Sequence, residues 1–206
     1  TESIPEIPVL GRISPADAAA IDTGHEILNA AKRPVALIGS SAMRMANPDL
    51  LRSFVEHHGI PFATTTMAKG MIDEDHPLSI GCIERGKRQM QRAFLRKSDL
   101  IVGLGYDTIE VEYEAWIGDT PLLQVDIEKV DVAPSVQVKG EVTGDLDEAL
   151  SAFVGAEQCH NDWTDAEIES HRTAFQAALR PNEENFSPHE AIDVVRDMLP
   201  VDGILT

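Results

Sequence analysis

Short segments typical of strands alternate along the chain with segments whose apolar residues recur every three or four positions. The predicted strands cover residues 34–39, 62–66, 99–105, 122–127 and 136–142. Residues 35–39 form a continuous apolar run with no polar alternation, which is typical of a strand covered on both faces in a parallel sheet. Strands that alternate with helices predict an α/β fold, with a doubly wound, mostly parallel sheet of about six strands and right-handed crossovers.

Helix start and stop signals separate these runs. Ser14, followed by Pro15 and Asp17, predicts that the first helix begins at residue 14. A second helix begins near residues 47–49 and ends at Gly59, so its last residues, His57 and His58, are expected to cap it or to lie at the surface. The other helices are predicted at residues 86–96, 146–154 and 156–180, with one more beginning at 187–190.

The segment 61–81 contains the second predicted strand and the loop that follows it. Its β-branched run 62–66 predicts a buried strand, and the loop after it contains Gly70, which permits positive φ. Residues 73–77 predict an acidic turn rather than a metal site, because their spacing fits no calcium loop. Residues 78–81 are expected to lead into a further loop. Because open α/β sheets bind ligands at the carboxyl ends of their strands, this segment is a candidate site.

The net charge excludes one class of partner. Thirty-five acidic and 17 basic residues give −18, which repels phosphate backbones, so we expect no nucleic-acid partner. Adaptation to high salt and ordinary acidity explain this charge equally well. No apolar stretch reaches the roughly 20 residues of a membrane span, and the first residues do not form a signal peptide. Cys82 and Cys159 fit no metal or disulfide pattern, which favours free thiols in the cytoplasm.

Glycines and basic residues are the candidates for phosphate binding. The first strand ends in Gly39 and Ser40, where a dinucleotide fold places its phosphate loop, but the other glycines of that fingerprint are absent. Gly103 and Gly105 are explained more economically by close packing. Residues 85–97 contain six of the 17 basic residues. A solvated helix face explains them better than a phosphate site does.

Segment 61–81 carries a threonine pair, a Lys-Gly step and an acidic residue followed by His and Pro. In these features it resembles the Rossmann-like central domain of thiamine-diphosphate-dependent enzymes, and the resemblance extends over residues 14–154. It implies a linker from a missing N-terminal domain (1–13), the central α/β domain (14–155), a helical linker (156–186) and the start of a truncated C-terminal domain (187–206). Residues 202–206 accordingly predict the beginning of a strand, and we expect the sequence to be part of a longer chain.

The resemblance implies a parent similar to the acetolactate synthase large subunit, which condenses or decarboxylates 2-oxo acids. Residues 105–116 resemble one branch of these synthases in particular. In this family the glutamate that activates the cofactor and the metal motif lie in other domains. The resemblance therefore implies that thiamine diphosphate and Mg²⁺ are bound by those domains, and that this chain has no catalytic residue and no metal ligand. Its implied partners are the other domains and further copies, in a homodimer or homotetramer.

Some relatives hold flavin adenine dinucleotide in this domain. We do not expect it here, because the first loop is poor in glycine, Glu84 and Arg85 replace a Met-His pair, and Asp107 replaces an arginine. An adenine nucleotide is the ligand left open. The residues expected at the crevice are Gly39, Ser40, Thr65, Thr66, Met67, Lys69, Gly105 and Asp126. Two alternatives remain: a free-standing nucleotide-binding module and a purely structural spacer.

Overall fold

A computed structural model describes residues 13–107, 117–181, 186–200 and 202–204. The strands are β1 (Pro34–Ile38), β2 (Phe62–Thr65), β3 (Ser79–Ile83), β4 (Leu100–Leu104), β5 (Leu122–Asp126) and β6 (Val138–Thr143). The helices are α1 (Ala18–Ala30), α2 (Asp49–His58), α3 (Arg88–Leu95), α4 (Leu146–Gly155), α5 (Asp165–Leu179) and α6 (Pro188–Met198). A short 3₁₀ helix, Ser40–Arg44, follows β1.

The six strands form one parallel sheet in the order β3-β2-β1-β4-β5-β6. The predicted doubly wound α/β fold is confirmed, and every pair of strands is parallel. The chain moves outward from β1 to β2 and β3, returns to the centre at β4, and then moves outward in the other direction. The strand order therefore reverses between β1 and β4, where Ile38 pairs with Leu104. Ligands of open α/β sheets bind beside such a reversal.

The core lies in two layers, one on each face of the sheet. Leu123 and Val125 of β5 face a cluster that includes residues of α1, α2 and α4. Leu37 of β1 and Ile101 of β4 face the other cluster, which contains residues of α3 and α5. Successive strand residues point to opposite faces. A continuous apolar run is therefore what a strand buried on both faces requires, as the sequence pattern predicted.

Strand β3 corrects the expectation that residues 78–81 lead into a loop. It is an edge strand, and its outer side is protected. The side-chain amide of Gln91 donates hydrogen bonds to the backbone oxygens of Ile80 (2.8 Å) and Cys82 (3.1 Å). Gly81 has φ +91° and lies so close to the ring of Phe175 that a Cβ would be 2.7 Å from it. Helices α3 and α5 thus cover an edge that would otherwise expose unpaired backbone groups.

Helix α1 begins three residues later than predicted. Its N-cap is Asp17, whose carboxylate accepts the Ala19 N–H at 3.2 Å, and not Ser14. The Ser14 backbone oxygen instead accepts the Asp145 N–H at 2.9 Å. At Gly144 a Cβ would lie 2.4 Å from the Ala16 nitrogen. These contacts hold the segment before α1 against the turn that begins α4, so that Asp17 is the residue placed to cap the helix.

Residues 156–164 are not helical, although the sequence predicted a helix over 156–180. They run beside the domain through backbone bonds, with the Asp162 N–H donating to Lys32 O at 2.7 Å and the Cys159 N–H donating to His58 Nδ1 at 3.2 Å. Helix α5 begins only after Thr164, which forms a capping box with Glu167. Helix α3 likewise begins at Arg88, after Lys87 in a left-handed conformation (φ 55°).

Helix α6 begins at the predicted place. Ser187 and Glu190 form its capping box, but none of its helical side chains is buried, and Ile192 and Met198 are largely exposed. Residues 202–204 are in no strand, and the rest of the predicted strand lies outside the described part. No helix among the described residues combines the length and the apolar character that crossing a membrane requires. The domain boundaries stay predictions.

Candidate functional site

A cavity of about 380 Å³ lies beside the reversal of the strand order, at the carboxyl ends of β1, β4 and β5. Its walls come from the 3₁₀ helix after β1 and from the segments that follow β4 and β5. The lining residues are Ser40, Ser41, Arg44, Tyr106, Asp107 and 126–131. Three separate parts of the chain meet here because parallel strands place all their carboxyl ends at one edge of the sheet.

Backbone contact between the first two walls shapes the cavity. The Gly39 N–H donates to Leu104 O at 3.0 Å, and the Ser41 N–H donates to Gly105 O at 3.1 Å. Gly105 has φ +59°, and a Cβ there would lie 2.5 Å from the Ala42 nitrogen. A side chain at this position would therefore force the two loops apart. The interpretation of Gly105 as a close-packing glycine agrees with this geometry.

Asp126 is the buried acid of the cavity. Its Oδ1 accepts the Ile127 N–H at 2.6 Å, and its Oδ2 accepts a hydrogen bond from the side-chain amide of Gln124 at 3.1 Å. Burial raises the pKa of Asp126, while these donors and the Ser41 hydroxyl oppose that rise. The negative charge of Asp107 adds to the rise in pKa. A buried carboxylate beside hydroxyl groups is suited to accepting hydrogen bonds from a ligand's hydroxyl groups.

The charges of the cavity disfavour anionic ligands. Asp107, Asp126, Glu128 and Asp131 line it, against Arg44 and Lys129 as the cations. Thiamine diphosphate and the flavin dinucleotide both carry a diphosphate, which proteins hold with a metal ion, with cations or with free backbone N–H groups. No group of metal-binding side chains occurs in the part of the chain that the structure describes. The cavity residues therefore do not fit thiamine diphosphate.

The eight residues expected at the crevice divide into two groups. Ser40 and Asp126 line the cavity, and Gly39 and Gly105 shape its floor through the backbone contacts above. The other four lie at the end of β2 and are not among the lining residues. They are Thr65, which is buried, and Thr66, Met67 and Lys69, which are exposed.

The polar groups that follow β2 are bound by acidic side chains of this chain. The Thr66 hydroxyl donates to Glu84 Oε2 at 2.6 Å, and the Lys69 ammonium forms an ion pair with Glu74. Met67 is 57% exposed. The sheet thus presents two polar regions at the carboxyl ends of its strands: the acidic cavity, and a surface after β2 and β3.

The sequence analysis missed Arg44 and residues 127–131 of the cavity wall. Thr66 and Lys69 were identified by the rule that ligands bind at the carboxyl ends of strands. The same rule applies to residues 127–131, because they follow β5. Arg44 carried no comparable signal, since the 3₁₀ helix that positions it was not predicted.

The acidic segment 73–77 is the turn that was predicted. Asp73 Oδ1 accepts the Asp75 N–H at 2.9 Å, and His76 contacts Glu56 Oε1 at 3.1 Å. Cys82 and Cys159 are free thiols. Most of the segment 105–116, which resembles one branch of acetolactate synthases, lies outside the described residues.

Comparison with known proteins finds similarity to a synthase and a lyase. The acetolactate synthase large subunit of Corynebacterium glutamicum is 27% identical over 152 residues, which are 72% of this chain and 24% of that protein. The 2-hydroxyacyl-CoA lyase 2 of Bos taurus is 27% identical over 99% of this chain and 33% of that protein. The chain therefore spans between about a quarter and a third of these relatives.

A solved structure from Mycobacterium smegmatis, described as that of a thiamin diphosphate-dependent enzyme, shares the fold. Its TM-score is 0.62 at 24% identity, over 78% of this chain and 31% of that one. The family model of the thiamine pyrophosphate enzyme central domain matches residues 21–153, well over half of the chain. The chain therefore belongs to the thiamine pyrophosphate enzyme family, as its central domain.

Proposed function

We propose that this chain is the non-catalytic central domain of an acetolactate synthase-like enzyme that condenses or decarboxylates 2-oxo acids. The relationship to a synthase and a lyase supports a parent that uses thiamine diphosphate. The observation that carries the non-catalytic role is the charge of the cavity, where four carboxylates face two cations. Thiamine diphosphate and Mg²⁺ are then bound by other domains. When bound there, the cofactor would supply the carbanion chemistry that condensation and decarboxylation of 2-oxo acids require.

In this proposal the domain is a scaffold for its neighbours. The all-parallel sheet, buried on both faces, is a rigid body, and catalytic domains attached to a rigid body keep a defined separation. The other domains and further copies of the parent, in a homodimer or homotetramer, are its proposed partners. The purely structural spacer is the second candidate, and it differs in leaving the cavity without a ligand.

The direct test is an assay of the purified chain with pyruvate, thiamine diphosphate and Mg²⁺. We expect no acetolactate or acetaldehyde, because the cavity presents more carboxylates than cations to a diphosphate and the described residues include no group of metal-binding side chains. A homologous full-length acetolactate synthase is the positive control. Steady product formation by this chain, proportional to its concentration, contradicts the proposal.

Ligand occupancy of the cavity is tested separately. We propose that the cavity accepts the hydroxyl-bearing nucleoside part of an adenine nucleotide through Ser40 and Asp126, and that it rejects the flavin dinucleotide. Calorimetric titration should give binding of adenosine that Asp126→Asn weakens, and no micromolar binding of the flavin. Absence of adenosine binding favours the structural spacer. A yellow protein after purification, or flavin fluorescence quenched at micromolar concentration, contradicts the proposed rejection.

A further inference from the structure

The segment that follows β3 has a sign of charge opposite to that of the whole chain. Arg85 and Lys87 of the connection, and Arg88 as the first residue of α3, lie within four residues of Glu84, in a chain of net charge −18. Thr66 and Lys69 follow β2, the neighbour of β3 in the sheet. Positive charge is thus concentrated at one end of the carboxyl edge, while the acidic cavity lies near β1, β4 and β5.

The Glu84 carboxylate accepts hydrogen bonds from two donors of the surface after β2 and β3. Glu84 Oε2 accepts the Thr66 hydroxyl at 2.6 Å, and Glu84 Oε1 accepts the Arg85 backbone N–H at 2.7 Å. These hydrogen bonds lower the pKa of Glu84, the one from Thr66 most, and the charges of Arg85 and Arg88 contribute to the lowering. A hydroxyl and a backbone N–H therefore donate to a single anion, next to the positively charged Arg85 and Arg88.

The same donor set is what proteins use for phosphate. A phosphate group is bound by backbone N–H groups, hydroxyl groups and guanidinium groups that converge on its oxygens. Glu84 presents two oxygens to these donors in the way that a phosphate would. Thr66, Glu84 and Arg85 are exposed to solvent and Arg88 is partly exposed, so an anion in solution can compete with the carboxylate.

We propose that Glu84 is an internal anion in a phosphate-binding site formed by Thr66, the Arg85 N–H and the guanidinium groups of Arg85 and Arg88, and that a phosphate or diphosphate group displaces it. The site is separate from the cavity and does not depend on the proposed catalytic parent. For Arg85 and Arg88, the proposal replaces the interpretation of residues 85–97 as a solvated helix face. In the native chain Glu84 keeps the affinity for phosphate low.

The test compares inorganic pyrophosphate binding to the native chain and to Glu84→Gln by titration calorimetry at low ionic strength. We expect Glu84→Gln to bind pyrophosphate at least tenfold more tightly, because the competing charge is gone while the cationic groups remain. The matched control is Glu74→Gln, which removes the same charge from the ion pair with Lys69. Its affinity for pyrophosphate should change less than threefold.

A second variant separates the site from a general effect of charge. Adding Thr66→Val to Glu84→Gln should reduce the gained affinity at least fivefold, since it removes the hydroxyl donor without altering charge. Thermal melts of all variants check that they fold, and exposed positions such as these should tolerate the changes. Equal affinities of the native chain and Glu84→Gln, or an equal gain in Glu74→Gln, would overturn the proposal.

Discussion

His58 shows how a single polar side chain is held in this core. It has no solvent exposure, and its Nδ1 accepts the Cys159 N–H at 3.2 Å. The ring of Phe54 meets it edge-on at 4.9 Å between centroids. Burial, followed by the charge of neighbouring His57, lowers the pKa of His58 to about 4. The expectation of a capping or surface histidine was therefore wrong for this residue, which is a neutral acceptor in the core.

Stability should fall as acid protonates the unfolded chain. The folded pKa of about 4 lies below the ordinary value of 6.5, so between these pH values the unfolded state binds more protons at His58. The contribution to the free energy of unfolding is complete above about pH 6.5. It decreases by about 3 kcal/mol as the pH falls to 4. Urea melts at pH 7.5 and 4.5 measure this change.

His58→Asn isolates this effect, because asparagine offers an oxygen acceptor for the Cys159 N–H but does not titrate. Its unfolding free energy should depend less on pH than that of the native chain over the same interval. His160→Asn, a change at an exposed residue, is the matched control and should retain the native pH dependence. Identical slopes for native and His58→Asn would show that this histidine is not the titrating group.

Two glycines with positive φ should differ sharply in their tolerance of alanine. At Gly105 (φ +59°) a Cβ meets the Ala42 nitrogen at 2.5 Å, whereas at Gly70 (φ +89°) nothing lies within 4 Å. Gly70→Ala should lower the free energy of unfolding by about 1–2 kcal/mol, because only the backbone conformation is unfavourable for alanine. Gly105→Ala should cost at least about 3 kcal/mol, because the loop after β1 must also move. Denaturant melts compare them, and equal losses would exclude the close contact as the cause.

Helix α5 is attached to the sheet by a stack of planar groups at its beginning. The Trp163 ring lies parallel to the Phe94 ring (4.8 Å between centroids, 7°), and the Arg33 guanidinium lies 3.8 Å from the centre of the Trp163 ring. The indole N–H donates to Pro34 O at 2.8 Å. Arg33 also forms an ion pair with Glu167 at 2.8 Å. Parts of α3, β1 and α5 are thereby joined through one tryptophan.

Trp163→Ala should loosen α5 more than it loosens the sheet. We expect a loss of about 3 kcal/mol in unfolding free energy, since a large aromatic contact and a hydrogen bond are removed. Amide hydrogen exchange should accelerate in α5 and in β3, which α5 covers. Leu179→Ala, at the exposed end of α5, is the control and should change both quantities little. Exchange that accelerates uniformly over the domain would contradict this local role.

At the scale of the whole molecule, charge is the dominant feature. A net charge of −18 on 206 residues produces self-repulsion in the folded state, and the ion pairs among the described residues are mostly exposed. Exposed pairs contribute little to stability, so they offset only part of the repulsion. Salt screens the repulsion, and the screening distance falls to about 3 Å at 1 M.

The melting temperature should therefore rise with salt. Between 0.1 M and 2 M potassium chloride we expect an increase of roughly 5 °C, which corresponds to about 1–2 kcal/mol for a chain of this size. Sucrose, which favours the folded state without screening charge, is the control that separates screening from general solvent exclusion. A midpoint that stays constant or falls in high salt would show that self-repulsion does not limit stability.

The sequence by itself determined the architecture, because burial on both faces of a parallel strand leaves a local mark. The runs at β1 and β4 are continuously apolar, and Asp145 and Ser187 are caps whose hydrogen bonds stay within one helical turn. The residues that carry these signals lie within the elements that they determine or a few residues from them. The carboxyl ends of the strands, and hence Ser40 and Asp126 at the cavity, followed from the same local pattern and the general rule for open sheets.

Only the tertiary structure decided features whose cause lies far away in the chain. Residues 79–83 form a strand because they pair with β2, and Gln91 and Phe175 cover their outer edge. Asp17 and not Ser14 caps α1, and the backbone oxygen of Ser14 accepts the distant Asp145 N–H. The separation of an acidic cavity from a surface where Glu84 binds Thr66 likewise depends on the order of the strands. Contacts between distant residues leave no periodicity in the sequence, so their consequences appear only in the folded chain.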